Sequence, residues 1–138
     1  MTNLEIVQRM YVAFGNRDRN TILELFDPQI EWVQNKGFPG GGRHVGAETV
    51  LNDVFAKFRL EWNVWQAVVS EWIDAGNTII AIGEYRGTYK ATGSSMKAAF
   101  AGVYRVRGGR IVSFHQYTDT AMIAAAMKPH VNNEPLPS

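Results

Sequence analysis

The chain contains no cysteine. That excludes disulfides, thiolate nucleophiles and Cys-ligated metals, and it is compatible with a reducing compartment. Nor does any run approach the ~20 apolar residues of a membrane span, and Thr2-Asn-Leu-Glu5 carries no basic stretch ahead of an apolar one. A soluble, cytoplasmic protein is the expectation. An excess of one charge is missing too, since 14 Lys and Arg against 13 Asp and Glu give a formal net charge of +1. No broad field then recruits nucleic acid or an anionic membrane. The three histidines show no metal-ligand spacing, so no metal site is expected, and no cofactor is expected either. Gly40-Gly-Gly42 lacks the Gly-Lys-Ser/Thr ending of a phosphate loop, and the GxGxxG spacing is absent. Internal repeats and low-complexity segments are absent as well.

What is present reads as one domain over residues 1–128, followed by a Pro-rich tail, 129–138, expected to be mobile. Leu4, Val7, Met10, Tyr11 and Phe14 are spaced by three and four, which predicts a helix over 3–14 with Gly15 placed to end it. Ile22, Leu23, Leu25 and Phe26 suggest a short second helix stopped before Pro28. Ile30–Val33 reads as a short strand, and Gly37–Gly42 as a flexible flap over a cavity mouth. Ala47–Phe58 carries Val50, Leu51, Val54, Phe55 and Phe58 on one face, a third helix.

The hydrophobic period then drops to two. Residues 60–73, 78–90, 95–107 and 110–118 predict four long strands in an antiparallel meander, the last two hinged on Gly108-Gly109. Ala121–Ala126 allows a short closing helix. The expected fold class is α+β, with three N-terminal helices packed on a curved antiparallel sheet of four long strands plus one short one.

Three segments, Arg9-Met-Tyr-Val-Ala-Phe14, Phe38-Pro-Gly-Gly-Gly-Arg-His-Val-Gly46 and Val103-Tyr-Arg-Val-Arg-Gly-Gly-Arg-Ile-Val112, occur in this order of elements. In this the chain resembles the SnoaL-like family of the nuclear-transport-factor-2-like superfamily, which also holds ketosteroid isomerase and limonene epoxide hydrolase. The resemblance implies an α+β cone, a curved sheet wrapped around the first helix to form a mostly apolar pocket. It also implies a homodimer through the outer sheet face.

Aligned on the last hairpin, the family places Phe114, Gln116 and Thr118 toward the pocket and His115, Tyr117 and Asp119 away from it. A slip of one residue would exchange the two sets. Gln116 matches an aspartate that handles protons in the cyclases and epoxide hydrolases, and a neutral amide cannot replace it as a base. Tyr11 matches the oxyanion-hole tyrosine of ketosteroid isomerase. The isomerase's general base falls near Trp32. Its protonated aspartate, and likewise the cyclases' active-site histidine, falls near Gly102. The epoxide hydrolases' Arg and Asp fall near Gly83 and Tyr85. Each known catalytic set is therefore broken. Glu31, beside Trp32, is the carboxylate nearest the isomerase base position.

Tyr11, Gln116 and Glu31 are thus the candidate catalytic residues, and Phe14, Trp32, Phe38, Tyr85, Phe100, Tyr104, Phe114 and Thr118 the candidate ligand contacts. Gly83, Gly87 and Gly102 are expected to leave space among them. This composition suits a small apolar ligand, such as a ketone, steroid or polyketide-like molecule. Isomerisation or cyclisation with Tyr11 as oxyanion donor is one reading; a non-catalytic dimeric ligand-binding or interaction module is the other. His115 and Asp119 sit ~13 Å apart along a strand, beyond direct hydrogen bonding. Glu84 and Arg86, opposite in face to Tyr85, suggest a cross-strand or interface ion pair.

Overall fold

The computed structural model describes residues 1–129, so all of the expected tail beyond Pro129, His130 included, lies outside the described residues. The first apolar stripe forms α1, Asn3–Gly15, opened by a reciprocal cap in which the Thr2 side chain accepts from the Glu5 amide and the Glu5 carboxylate from the Thr2 amide. Its end differs from expectation. The chain turns not at Gly15 but at Arg17, whose amide donates to the Phe14 carbonyl (3.2 Å) while the Asp18 amide donates to that of Ala13 (2.8 Å). This closure needs a left-handed residue, and Arg17 supplies it at φ 55°, alone in that respect among the described non-glycine residues. An arginine costs roughly 1 kcal/mol there relative to glycine.

Asp18 caps α2, Arg19–Leu25, and β1 follows at once as Phe26–Gln34. This strand is longer than the expected Ile30–Val33 and contains Pro28. The proline is tolerated because its partners pair only with Phe26 and with residues from Glu31 onward, so no ladder bond at Pro28 is lost. A second strand, β2 (Gly42–Val45), pairs with β1 and was hidden in the glycine-rich stretch by its shortness. The third helix runs in three parts: α3 Ala47–Thr49, a π-helical turn Val50–Phe55, and α4 Ala56–Glu61.

The meander forms as expected from β3 (Trp62–Ala75), β4 (Thr78–Tyr89), β5 (Ser95–Arg107) and β6 (Arg110–Thr118). Gly108 and Gly109 have φ of 59° and 77°, the two positive angles that a tight two-residue hairpin demands. The sheet as a whole is mixed and six-stranded, in the order β2-β1-β6-β5-β4-β3, because β1 runs parallel to β6. An antiparallel sheet of five strands was expected; alternation along a strand reports its faces and says nothing of its partner's direction. α5, Thr120–Met127, closes the fold with Asp119 as its cap. Val7, Met10 and Ala13 of α1, Ile22 of α2 and Val50 and Phe55 of the third helix are buried with Ile79, Phe100, Tyr104 and Phe114 from the sheet. No described helix is long and apolar enough to cross a membrane.

Candidate functional site

The strand β6 presents two different faces. Phe114 and Gln116 are buried, Gln116 to 1 % exposure, whereas His115, Tyr117 and Asp119 are exposed. Gln116 is held at both ends of its amide. Its Oε1 accepts from the Asn35 amide (3.2 Å), and its Nε2 donates to the Tyr85 hydroxyl (3.0 Å). On the other side of the same space, Tyr104 donates to the hydroxyl of Tyr11 (2.7 Å). Tyr11 and Tyr85 thus each receive a hydrogen bond and keep their own proton unengaged among the described residues.

These groups meet around a small chamber of about 40 Å³, whose walls include Trp32, Gln34, Phe55, Phe58, Trp65 and Phe114. The chamber has room for about two or three waters. Tyr11, Phe14, Phe58 and Trp65 also line a groove of about 440 Å³ between the end of α1, α4 and β3. Of these two spaces it is the groove that has ligand dimensions, which begin near ~300 Å³. Phe58 stacks on Trp65 with ring centres 4.4 Å apart and planes 7° from parallel, so in the wall common to both spaces each ring covers one face of the other.

The electrostatics of the chamber are those of neutral donors. Burial raises the pKa of Tyr11 above its ordinary value, with Tyr85 adding to the effect and the bond from Tyr104 opposing it. Burial likewise raises Tyr85, against the bond from Gln116, and raises Tyr104, with Tyr11 adding to the effect. All three phenols therefore stay protonated at neutral pH. Trp32 Nε1 is a further donor, and it is buried without a hydrogen-bond partner. A buried N–H left unpaired costs roughly 1–3 kcal/mol, which an acceptor placed in the chamber would relieve.

Of the residues singled out from sequence, Tyr11, Phe14, Trp32, Tyr85, Tyr104, Phe114 and Gln116 line the chamber. Glu31 does not join them. Its carboxylate meets Arg43 at 2.9 Å, and its side chain is 45 % exposed, on the face opposite Trp32. Thr118 turns its hydroxyl to the Ala99 carbonyl (2.8 Å), and Phe100 stacks behind Tyr85 at 4.2 Å. Phe38 is 3 % exposed and packs on Phe58, Trp65 and Tyr85, so the glycine-rich loop is pinned by its aromatic residue. The inward glycines do not leave open space either. A Cβ at Gly102 would lie 2.8 Å from the Phe114 ring and 3.2 Å from that of Tyr104, so its role is to let rings close in. Glu84 pairs with Arg86 on its own strand (2.7 Å), not across strands. His44 Nε2 lies 3.0 Å from the Gly40 carbonyl oxygen, and among the described residues no group of three His, Asp or Glu is placed to hold a metal.

Sequence reading missed Gln34, Phe55, Phe58 and Trp65 as wall residues. Gln34 follows Trp32 by two along β1 and was open to the same alternation argument. Phe55 and Phe58 belonged to an apolar face that looked like ordinary core.

The SnoaL-like domain model matches residues 7–114. An NTF2-like protein from Burkholderia thailandensis is 37 % identical, with a TM-score of 0.89 over 94 % of this chain and 99 % of that one. TerC, co-crystallised with polyporic acid, superimposes with a TM-score of 0.81 at 22 % identity over 90 % and 96 % of the two chains. A protein of ketosteroid isomerase-like fold from Catenulispora acidiphila, in complex with trimethylamine, does so with 0.77 at 21 % over 91 % and 93 %. These last two likenesses are of fold alone. Nothing among curated proteins matches the chain. With the helices, mixed sheet and interior chamber described above, the matched domain establishes that the chain belongs to the SnoaL-like family of NTF2-like α+β proteins.

Proposed function

We propose that the protein binds a small, mainly apolar molecule carrying a carbonyl-type oxygen. The body of the ligand lies in the groove against Phe58 and Trp65, and its oxygen reaches the hydroxyl of Tyr11, a residue that lines both spaces. The observation that carries this reading is the surplus of donors: Tyr11 and Tyr85, whose protons are unengaged among the described residues, and Trp32, whose N–H has no partner, line one space whose walls hold no cation. The same Tyr11 would stabilise charge developing on an enolate-like oxygen, as an isomerase or cyclase requires. The base needed for such turnover is not among the wall residues, and no carboxylate lines either space.

A second reading, a non-catalytic dimeric ligand-binding or interaction module, draws on that missing base and on the small volume of the chamber. The half-exposed strip Ile80, Ile82, Ala101 and Val103, bordered by exposed His115 and Tyr117, supports a homodimer through the outer sheet face. Titration of the tryptophan fluorescence with 2-acetonaphthone separates the two uses of the fold. Saturable binding that weakens about fivefold to tenfold in Tyr11→Phe is the expected result, the value of one net hydrogen bond. Affinity unchanged in Tyr11→Phe removes the donor role, and absence of any binding leaves the interaction module.

A further inference from the structure

The groove contains a charge that an apolar ligand does not explain. Arg17, from the turn after α1, and Arg59, from α4, both line it, and no Asp, Glu or Lys does. Neither Arg17 nor Arg59 has an ion pair among the described residues, which is also true of Arg9, Arg105, Arg107 and Arg110, but these two share one groove. The two guanidinium groups also feel one another. The pKa of Arg59 is lowered, first by partial burial and then by the positive charge of Arg17. In a chain of net charge +1, two uncompensated cations at one groove are a local concentration with no counterpart in composition.

The backbone adds an independent observation. Arg17 occupies the left-handed position of the closure after α1, where glycine is the favoured residue. Nothing in the packing requires an arginine there, since the residue is exposed. Strain of this kind persists where the side chain has a use, and the groove beside it supplies one.

We propose that the ligand is an amphipathic carboxylate: Arg17 and Arg59 together hold its carboxylate at the groove mouth while its flat apolar body lies along Phe58 and Trp65. Guanidinium groups suit this task because each offers paired N–H donors that match the two oxygens of a carboxylate. The inference rests on the ligand-binding reading above and specifies the chemical class that site takes. Carboxylate and oxygen-acceptor ends would then be separated, the first at the mouth and the second at Tyr11. Charge at the mouth also attracts the anion from solution, an effect that salt screens.

The test uses the full chain and a matched pair of probes, 2-naphthoate and its uncharged methyl ester. Naphthoate is expected to bind at least tenfold more tightly than the ester at low salt, with the preference shrinking at 0.3 M salt. Arg17→Gln combined with Arg59→Gln should bring naphthoate to the level of the ester and leave the ester unchanged. Arg17→Gly should lose part of the preference while raising Tm by about 3 °C, since glycine relieves the left-handed strain. Equal binding of the two probes, or a preference that survives in the double variant, overturns the carboxylate site and leaves the apolar groove standing. A fall in Tm for Arg17→Gly shows a structural reason for the arginine and overturns the argument from strain. If neither probe binds the wild type, the ligand-binding reading fails and this inference with it.

Discussion

Adjacent residues of β6 live in different solvents. His115 and Tyr117 stack on one another at 4.6 Å on the water side, while Phe114 and Gln116, one residue away on each, are sealed against Trp32, Tyr104 and Tyr85. The outer face holds the side chains with textually catalytic chemistry, a histidine and, at the strand end, an aspartate that caps α5. Only neutral groups stand on the inner face. The difference teaches that a titratable side chain is no guide to a site until the face it occupies is known, and that the inner face of this strand carries neutral groups joined by hydrogen bonds.

The contrast between the faces can be broken in graded steps. Phe114→Ala should destabilise the fold by about 3–5 kcal/mol, because it empties space between the rings of Trp32 and Tyr104. His115→Ala should move stability by less than about 0.5 kcal/mol. Urea denaturation of the pair measures both, and similar losses from the two would erase the distinction. Gln116→Leu keeps the volume and removes the amide, stranding the Asn35 N–H and the Tyr85 hydroxyl lone pair. A cost of about 2 kcal/mol is expected by the same measurement. A neutral or stabilising result would mean that the amide network is dispensable to the inner face.

The smallest effect sharpens the character of the chamber. Burial raises the folded-state pKa of Tyr11, Tyr85 and Tyr104 above the unfolded value. Their contribution is therefore fully present below about pH 10 and is lost as pH rises beyond it, since the unfolded chain releases protons that the folded one retains. Each such phenol contributes about 1.4 kcal/mol of lost stability per pH unit above pH 10. Tyr104→Phe should flatten that alkaline limb by one such share, read from unfolding curves between pH 9 and 11.5. An unaltered slope would place the Tyr104 hydroxyl in contact with water.

Much of the fold was legible before any coordinates. The stripe of α1, the four meander strands and the Gly-Gly hairpin follow from local rules, in which a repeat of 3.6 or 2 and a pair of positive φ angles leave little choice. What escaped was non-local. The parallel pairing of β1 with β6 depends on where the chain returns, and β2 is too short to show a period. Arg17 lies in the polar run Asn16-Arg-Asp-Arg-Asn20, and nothing in its identity announces a left-handed seat that glycine would normally take.

For the site the division is sharper. Sequence by itself determined which residue types were on hand: no thiol, no metal-ligand spacing among the histidines, Tyr11 on the apolar stripe of a helix, and a neutral Gln116 on the last strand. Only the tertiary structure decided what those residues became. It turned Glu31 outward to Arg43, joined Tyr104 to Tyr11 and Gln116 to Tyr85, and left Trp32 with a proton and no acceptor. The reason is physical: periodicity fixes the face a side chain takes within its own element, but which faces meet, and how much room remains between them, depends on packing between elements far apart in the chain.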